Sequence, residues 1–588
     1  MSVRRIIILT LFIFTCGSLK AQVFKLKIKL TDSNHVSINN ITYKKTYQTK
    51  ADMLHILNDA LQQMYNTAHL AATIDSVKTD TVGSIAFLSP GKQYLWATLA
   101  PGNVDEGWIS EIGFHENVYD GNPVNYKQVS NLLNKLLRYA EDHGYPFARI
   151  HLENFHEDSS YLSAEIHLQL NDLILWDTVE VIGDSSISPR FLANYLGIKK
   201  GAFYSETVAR NISNRLKELL YIRLTSPPRV IFKAGSGKAV VKLSLEEQKS
   251  SRFDLIAGAA PNTTGPGIEL TGEFSLETLD LLGRGITLDI SAKKLVQSTE
   301  QLDIAANYPY ITLPIIGSTN FGIGGTFDLL RYDTLYTTVN AQINLSYYLS
   351  GKNYLKILYG IDQSQTINNV NVVPNSLSAP ANIDYTTYWY GLGLNLQKLD
   401  NALNPRSGYT LFFEGKAGIK YIKENPEVVP EFYDSIQLKR VVYKIAINGN
   451  YFFPIGRRST IITGFKCGIM VDNQAFQNQV YRVGGLNTLL GFDDGSIYAN
   501  QYYIPSIEYR FLTTGTSFIQ AFVNAAYYKD DLPLSNIDVS AYPIGFGLGY
   551  GYQTKAGMFL VNFAVGTQNG SPIDFNNAKV HVGYNNNF

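Results

Sequence analysis

The sequence predicts three small α+β modules followed by a transmembrane antiparallel β-barrel of about sixteen strands. Three observations point there. An export-type segment opens the chain. Short strands and amphipathic helices then interleave as far as about Ser250. From about Arg252 onward, segments of roughly ten residues alternate apolar and polar side chains. The chain holds 39 Tyr and 30 Phe, and no later apolar run reaches the length of a spanning helix. A closed barrel is the other way to cross lipid without unpaired backbone groups.

In the opening segment, Arg4 and Arg5 precede an apolar run from Ile6 to Phe14, and Ala21 is a small residue at a cleavage point before Gln22. The run is about half of what a membrane anchor needs. Residues 1–21 are therefore expected to be a signal peptide. Lipid attachment at Cys16 is disfavoured because Phe14 and Thr15 are poor neighbours for that signal. After cleavage Cys467 alone remains, so an intramolecular disulfide is excluded. Lys+Arg and Asp+Glu balance at 50 each, which argues against a nucleic-acid partner.

The first module begins with alternating FKLKIKL, followed by a helix over 51–65 through Met53, Leu54, Leu57, Leu61 and Met64. The second has a helix over 126–143, with Val129, Leu132, Leu133, Leu136 and Leu137 on one face, then a strand pair. The third runs TVEVIGDSSISPRFLANYLGIKKGAFYSETVARNISNRLKELLYI, a strand and two helices, before RVIFKAGSGKAVVKLSLEE. AGSGK is not a phosphate loop: the required first glycine is Phe232, and no Ser or Thr follows Lys238. It is expected to be a hairpin turn. This strand–helix–helix–strand–strand unit resembles a POTRA domain, the periplasmic module of outer-membrane assembly and transport proteins. The resemblance divides the chain into POTRA-like domains at 22–103, 104–173 and 174–250, and a barrel at 251–588.

Within the barrel, Tyr409, Leu411, Phe413, Ala417 and Ile419 share one face, against Thr410, Glu414, Lys416 and Lys420. Expected strand starts lie near residues 252, 267, 285, 300, 319, 336, 353, 385, 407, 440, 460, 501, 517, 542, 558 and 579. Their parity is consistent. The even-to-odd connections LLGRG, NPRSG and FPIGRRS are short, and the long connection 471–500 falls on the opposite side.

Three such modules before a barrel of this size resemble the BamA/TamA-like family of outer-membrane insertases and translocases. The most specific stretch is YRVGGLNTLLGFDDGSIYAN. In the family, the sixth external loop folds back into the lumen through a GG lead-in and Arg-Gly-Phe or Arg-Gly-Tyr. Here Arg482, Gly484 and Gly485 match the lead-in, and Gly491 and Phe492 match the end. Leu490 occupies the family arginine's position, and Asn524 that of its aspartate partner on the thirteenth strand. Both halves of the ion pair are thus uncharged. Either the loop still docks with apolar contact in place of charge, or it has lost its anchor and the barrel its ancestral activity. Replacing a buried ion pair by apolar packing can be nearly neutral, which favours docking.

In YPIGFGLGYGY the glycines 545, 547, 549 and 551 share one face, to curve the wall or to make room for the inserted loop. The last strand, KVHVGYNNNF, carries Gly583 and a terminal Phe588, which resembles an outer-membrane targeting signal. It is either a closing seam or an edge that opens to a client strand. No GxSxG or HExxH occurs, and the nine histidines show no ligand spacing. Asp493-Asp494 lacks calcium-loop spacing. The expectation is therefore no enzyme, no metal and no cofactor.

The resemblance implies an outer-membrane location with the N-terminal domains in the periplasm. It also implies partners: the lipid bilayer, unfolded outer-membrane or secreted polypeptides, and periplasmic assembly partners bound through the POTRA domains. The implied function is insertion of β-barrel proteins into the outer membrane. The alternatives are a two-partner-secretion-type polypeptide transporter, or a structural barrel without insertase activity.

Overall fold

The computed structural model describes residues 23–586, apart from 32–40, 184, 249–250, 262–267, 295–298, 312–319, 334, 368–379, 402–403, 427, 486–487, 494, 515–516, 533–536, 554–556, 570, 574 and 576–577. The expected signal peptide, Asp494 and Phe588 lie outside the described residues. Two compact units result, 1–175 with 203–207 and 235–237, and 176–202, 208–234 and 238–588.

The N-terminal region uses one sheet topology three times. Strands β1 (Phe24–Leu30), β2 (Thr46–Tyr47), β3 (Thr73–Thr79) and β4 (Gly83–Ser89) form a sheet ordered β2-β1-β4-β3, with β1 parallel to β4. Helix α1 (Lys50–Asn66) accompanies it. Next come β5 (Leu95–Ala100), α2 (Glu106–Glu111), α3 (Tyr126–Asp142), β6 (Arg149–Asp158) and β7 (Tyr161–Gln169), ordered β5-β7-β6 with β5 parallel to β7. The third set is β8 (Leu175–Ile182), α4 (Pro189–Leu196), α5 (Glu206–Lys217), β9 (Ile222–Leu224), β10 (Arg229–Lys233) and β11 (Lys238–Glu247), ordered β10-β11-β8. Each time the last long strand lies between the first and its own hairpin partner, an arrangement that resembles a POTRA domain.

Local chemistry explains the helices. Thr49 and Asp52 form a reciprocal capping box at the start of α1, which buries Met53, Ile56, Leu57, Ala60 and Met64. Leu54, expected on the inner face, is largely exposed, because the helical stripe passes through Ile56 and Ala60 instead. Helix α4 starts with Ser188 as N-cap and Pro189 in its first turn, and ends at Gly197 with φ 79°. The AGSGK segment is the β10–β11 hairpin turn, with Gly235 and Gly237 at positive φ.

The barrel strands are β12 (Arg252–Pro261), β13 (Ile268–Leu281), β14 (Ile286–Lys294), β15 (Glu300–Ile311), β16 (Phe321–Tyr332), β17 (Tyr336–Ser350), β18 (Asn353–Thr366), β19 (Tyr385–Leu399), β20 (Gly408–Ile422), β21 (Lys439–Ile455) and β22 (Ser459–Val471). A separate pair, β23 (Tyr481–Val483) and β24 (Ile497–Ala499), follows. Then come β25 (Gln501–Thr514), β26 (Ser517–Ala525), β27 (Tyr527–Leu532), β28 (Ile537–Ala541), β29 (Ile544–Gln553), β30 (Gly557–Thr567) and β31 (Lys579–Asn586). Without the β23–β24 pair, these form one antiparallel sheet of 18 segments among the described residues. Strand β25 pairs with both β26 and β27, and β26 pairs directly with β29. Segments β26–β27 and β28–β29 are therefore two wall strands, interrupted at Ala526 and at Tyr542-Pro543, which makes sixteen wall strands among the described residues.

Outward side chains are apolar and exposed, as at Val441, Tyr443, Ile507 and Tyr509, whereas Lys420, Gln520, Asn524 and Asn562 face inward and are buried. That polarity is inverted relative to a soluble sheet and suits a lipid-facing wall. Strand β31 returns beside β12, yet no hydrogen-bonded pairing joins the two among the described residues.

Within the second unit, α4 and α5 rest on the short-turn rim of the barrel. Ser188 N–H donates to Gly283 O at 2.7 Å, and Arg215 Nη2 donates to Ser350 Oγ at 2.9 Å. Phe191 and Tyr195 lie edge-on to Tyr310, with ring centroids 6.0 and 6.2 Å away. Gly285 has φ 68°, and a Cβ there would overlap the Phe191 ring. Burial pushes the Tyr195 phenol well above its ordinary range, and the adjoining Glu218 carboxylate, which accepts its hydrogen bond at 2.8 Å, adds to the effect.

Candidate functional site

The long connection from β22 to β25 folds on itself and then binds the inner wall. Strands β23 and β24 pair antiparallel, Tyr481 opposite Ala499 and Val483 opposite Ile497. Beyond them, Gly484 N–H donates to Thr488 Oγ1 at 2.8 Å, and Gly485 N–H to Phe492 O at 3.1 Å. Gly484, Gly485 and Gly491 have φ of 129°, 83° and 94°, a region that favours glycine. At Gly484 a Cβ would also overlap the Asp493 carbonyl oxygen. The lead-in glycines are thus required by the turn itself.

Leu490 and Asn524 meet, but through the backbone of the leucine. Leu490 N–H donates to Asn524 Oδ1 at 3.1 Å, while Asn524 Nδ2 donates to Leu490 O at 3.2 Å and to Gly545 O at 3.1 Å. The carboxamide acts like a peptide group in a strand pair, offering both a donor and an acceptor. A carboxylate could accept from Leu490 but could not donate to the two carbonyls. Asparagine is the side chain that suits a docked loop with no arginine. The fully buried leucine is Leu489, packed with Val483, Ile497, Ile504 and Tyr528; Leu490 is half-buried.

Close backbone approach completes the contact. A Cβ at Gly545 would overlap the Leu490 carbonyl oxygen, and one at Gly566 would lie 2.6 Å from Gly491 O and 2.7 Å from the Phe492 ring. The remaining glycines of β29 serve the neighbouring wall strands instead. Gly547 lies against the Phe563 carbonyl oxygen of β30 and the Phe522 ring, Gly551 faces the Phe518 ring, and Gly549 accommodates the Gln520–Asn562 hydrogen bond of 2.9 Å. Of the four, Gly545 makes room for the loop.

On the other side, Arg482 lies 4.2 Å from the Tyr332 ring centroid and 5.6 Å from that of Tyr498, and its Nε donates to Gly495 O at 3.0 Å. Because Tyr332 belongs to β16 and Asn524 to β26, the hairpin spans the lumen. Gly583 lies in the β30–β31 ladder opposite Leu560. Cys467 is a buried free thiol.

A charged lock at the root of the loop was not among the sequence-predicted residues. Asp472, immediately after β22, is ion-paired with Lys420 of β20, and its Oδ1 is 3.0 Å from Arg440 Nε of β21, close enough for charge pairing though off the hydrogen-bond direction. Lys420 Nζ also donates to Gln474 O at 3.1 Å and Gln479 Oε1 at 3.2 Å. The available signal was Lys420 facing Arg440 across the β20–β21 ladder, since two inward cations side by side require an anion. Beside this lock, Ile383, Ile422, Phe432, Tyr433 and Phe476 form an apolar core shared by three loops.

The site carries hydrogen-bonding and charge complementarity that position a hairpin. A family model described as the Omp85 superfamily domain matches residues 280–588, just over half of the chain. Among solved structures, the chain is similar to CdiB from Escherichia coli at 12% identity and TM-score 0.53, covering 92% of this chain and 97% of that one. It is also similar to CdiB from Acinetobacter baumannii at 13% identity and TM-score 0.53, covering 84% and 90%. BamA from Haemophilus ducreyi lacking POTRA domains 1–3 aligns at 14% identity and TM-score 0.41, covering 84% and 99%. No curated protein matches the sequence. The likeness to the two CdiB structures is one of fold, and the family match is one of sequence: the chain belongs to the Omp85 superfamily of bacterial outer-membrane β-barrel proteins.

Proposed function

We propose that the protein helps insert β-barrel proteins into the outer membrane, with its POTRA-like modules in the periplasm receiving unfolded polypeptides. The observation that carries this reading is the seam. Among the described residues, every other neighbouring pair in the wall is joined by a ladder, whereas β12 and β31 lie adjacent without one. Unpaired backbone groups in lipid cost several kcal/mol each, so a seam of this kind favours whatever strand can satisfy them. An incoming client strand can do so by edge addition. The reading assigns the protein no bond chemistry and no cofactor.

Outward transport of one dedicated polypeptide is the alternative. It requires passage through a lumen spanned by the docked hairpin, which weighs in favour of insertion at the seam. A purely structural barrel would act on neither class of client. The test is photo-crosslinking from Phe253 and Val580, outward-exposed positions on the two seam strands, combined with depletion of the protein in cells. Insertion predicts trapped β-barrel clients and a joint fall in many outer-membrane barrels. Loss of a single secreted product, with no trapped barrel, would overturn it.

A further inference from the structure

The docked hairpin also touches the seam. Asp493 follows Phe492 at the hairpin tip, and Lys579 is the first residue of β31. Lys579 Nζ lies 2.8 Å from Asp493 Oδ1 and 3.0 Å from Oδ2, so it engages both carboxylate oxygens. The two ends of this contact are held in different ways. Asp493 is fixed by the hairpin: its carbonyl accepts from Ser496 N–H at 3.3 Å and Ser496 Oγ at 2.9 Å, and lies against Gly484. The hairpin in turn is bound to β26, β29 and β30 through Asn524, Gly545 and Gly566. Strand β31 is held on one edge only, by the ladder to β30 from Gly557–Asn586 to Ala564–Lys579. Its other edge faces β12 without pairing among the described residues.

We propose that Asp493 and Lys579 form a latch, by which the docked hairpin holds the first turn of the closing strand against the barrel and biases the seam toward closure. The Asp493 side chain is 70% exposed and that of Lys579 28%. An ion pair of that exposure adds little to global stability and is weakened by salt, which suits a contact that must be broken and remade. Docking of the hairpin and closure at β31 are then two sides of one equilibrium: whatever undocks the hairpin releases the strand. The assignment deepens the insertion reading and rests on it for its purpose, but the latch can be measured with no client present.

The experiment uses the full chain in proteoliposomes, in a Cys467→Ala background, with spin labels on Ala259→Cys of β12 and Val580→Cys of β31. Lys579→Glu and Asp493→Lys are each expected to raise the population of the long-distance, open seam roughly two- to fivefold at low salt. The double exchange is expected to return it toward the starting value, and high salt to erase the difference. Unchanged distances in both single variants, or a double exchange that behaves like their sum, would overturn the latch. Distances that respond while no client is captured at Phe253 or Val580 would leave the latch standing and remove the insertion reading instead.

Discussion

Asp472→Asn isolates the lock at the loop root with almost no change of shape. In the folded protein the Asp472 side chain is fully buried, and those of Lys420 and Arg440 are 2% and 11% exposed. The amide keeps an oxygen for Gln474 N–H, which donates to Oδ1 at 3.0 Å, so the local turn survives. What is lost is the only carboxylate among the residues described as paired with Lys420 and Arg440, and the two cations remain side by side on the β20–β21 ladder. Removing one partner of a buried ion pair typically costs about 3–5 kcal/mol. Lys420 keeps its acceptors on Gln474 and Gln479, so the lower end applies, about 3 kcal/mol, or roughly a hundredfold in the closed-to-open ratio of this loop. The assay is limited proteolysis of the 423–438 and 472–480 segments in detergent, with heat-modifiability on cold gels for the whole barrel. Cleavage should accelerate while the barrel band persists. Lys420→Met should cost less, because Asp472 keeps Arg440. If Asp472→Asn is cleaved at the wild-type rate, the lock does not hold the loop and the reasoning is refuted.

Five further substitutions probe the docked hairpin and the rim. Asn524→Asp removes the donors to Leu490 O and Gly545 O and adds a buried charge; it should weaken docking by about 2–4 kcal/mol, read as protease access to 484–492. Leu490→Arg in the same chain should recover part of that loss, a rescue absent if the two positions are not coupled. Gly545→Ala forces Leu490 away from β29 and should undock the hairpin while leaving the β26–β29 ladder folded, measurable by hydrogen exchange of the Leu490 amide. Arg482→Lys loses the Gly495 bond and planar stacking on Tyr332 and should cost about 1 kcal/mol of hairpin protection. Gly285→Ala should displace Phe191 from the rim, and a distance label on α4 against β15 would move.

Much of the barrel was legible because its alternation is continuous. Fifteen of the sixteen expected starts fall within two residues of the start of a whole wall strand, from Arg252 in β12 to Lys579 in β31. At the fourteenth, near Tyr542, the expected start falls between β28 and β29, because Pro543 lacks an N–H and the wall strand breaks there. The hairpin was visible through its glycines, whose positive φ leaves a compositional trace. Its partners were not. Lys420 and Asp472 are 52 residues apart, and Lys579 and Asp493 are 86 apart; no local period links them. The same holds for the choice between Leu489 and Leu490. Adjacent residues in an irregular turn give no pattern to say which is buried and which lends its backbone.

The central claim, that this barrel inserts strands at the β12–β31 seam, is tested most directly by reconstitution. Purified protein in liposomes is mixed with an unfolded outer-membrane β-barrel protein, and the folded fraction is followed by heat-modifiability. A second sample carries a thiol cross-link between Ala259→Cys and Val580→Cys in the Cys467→Ala background. Client folding is expected to be faster than in empty liposomes, to lose that acceleration in the cross-linked form, and to regain it when the cross-link is cleaved. Equal acceleration by the cross-linked and free forms would contradict the claim.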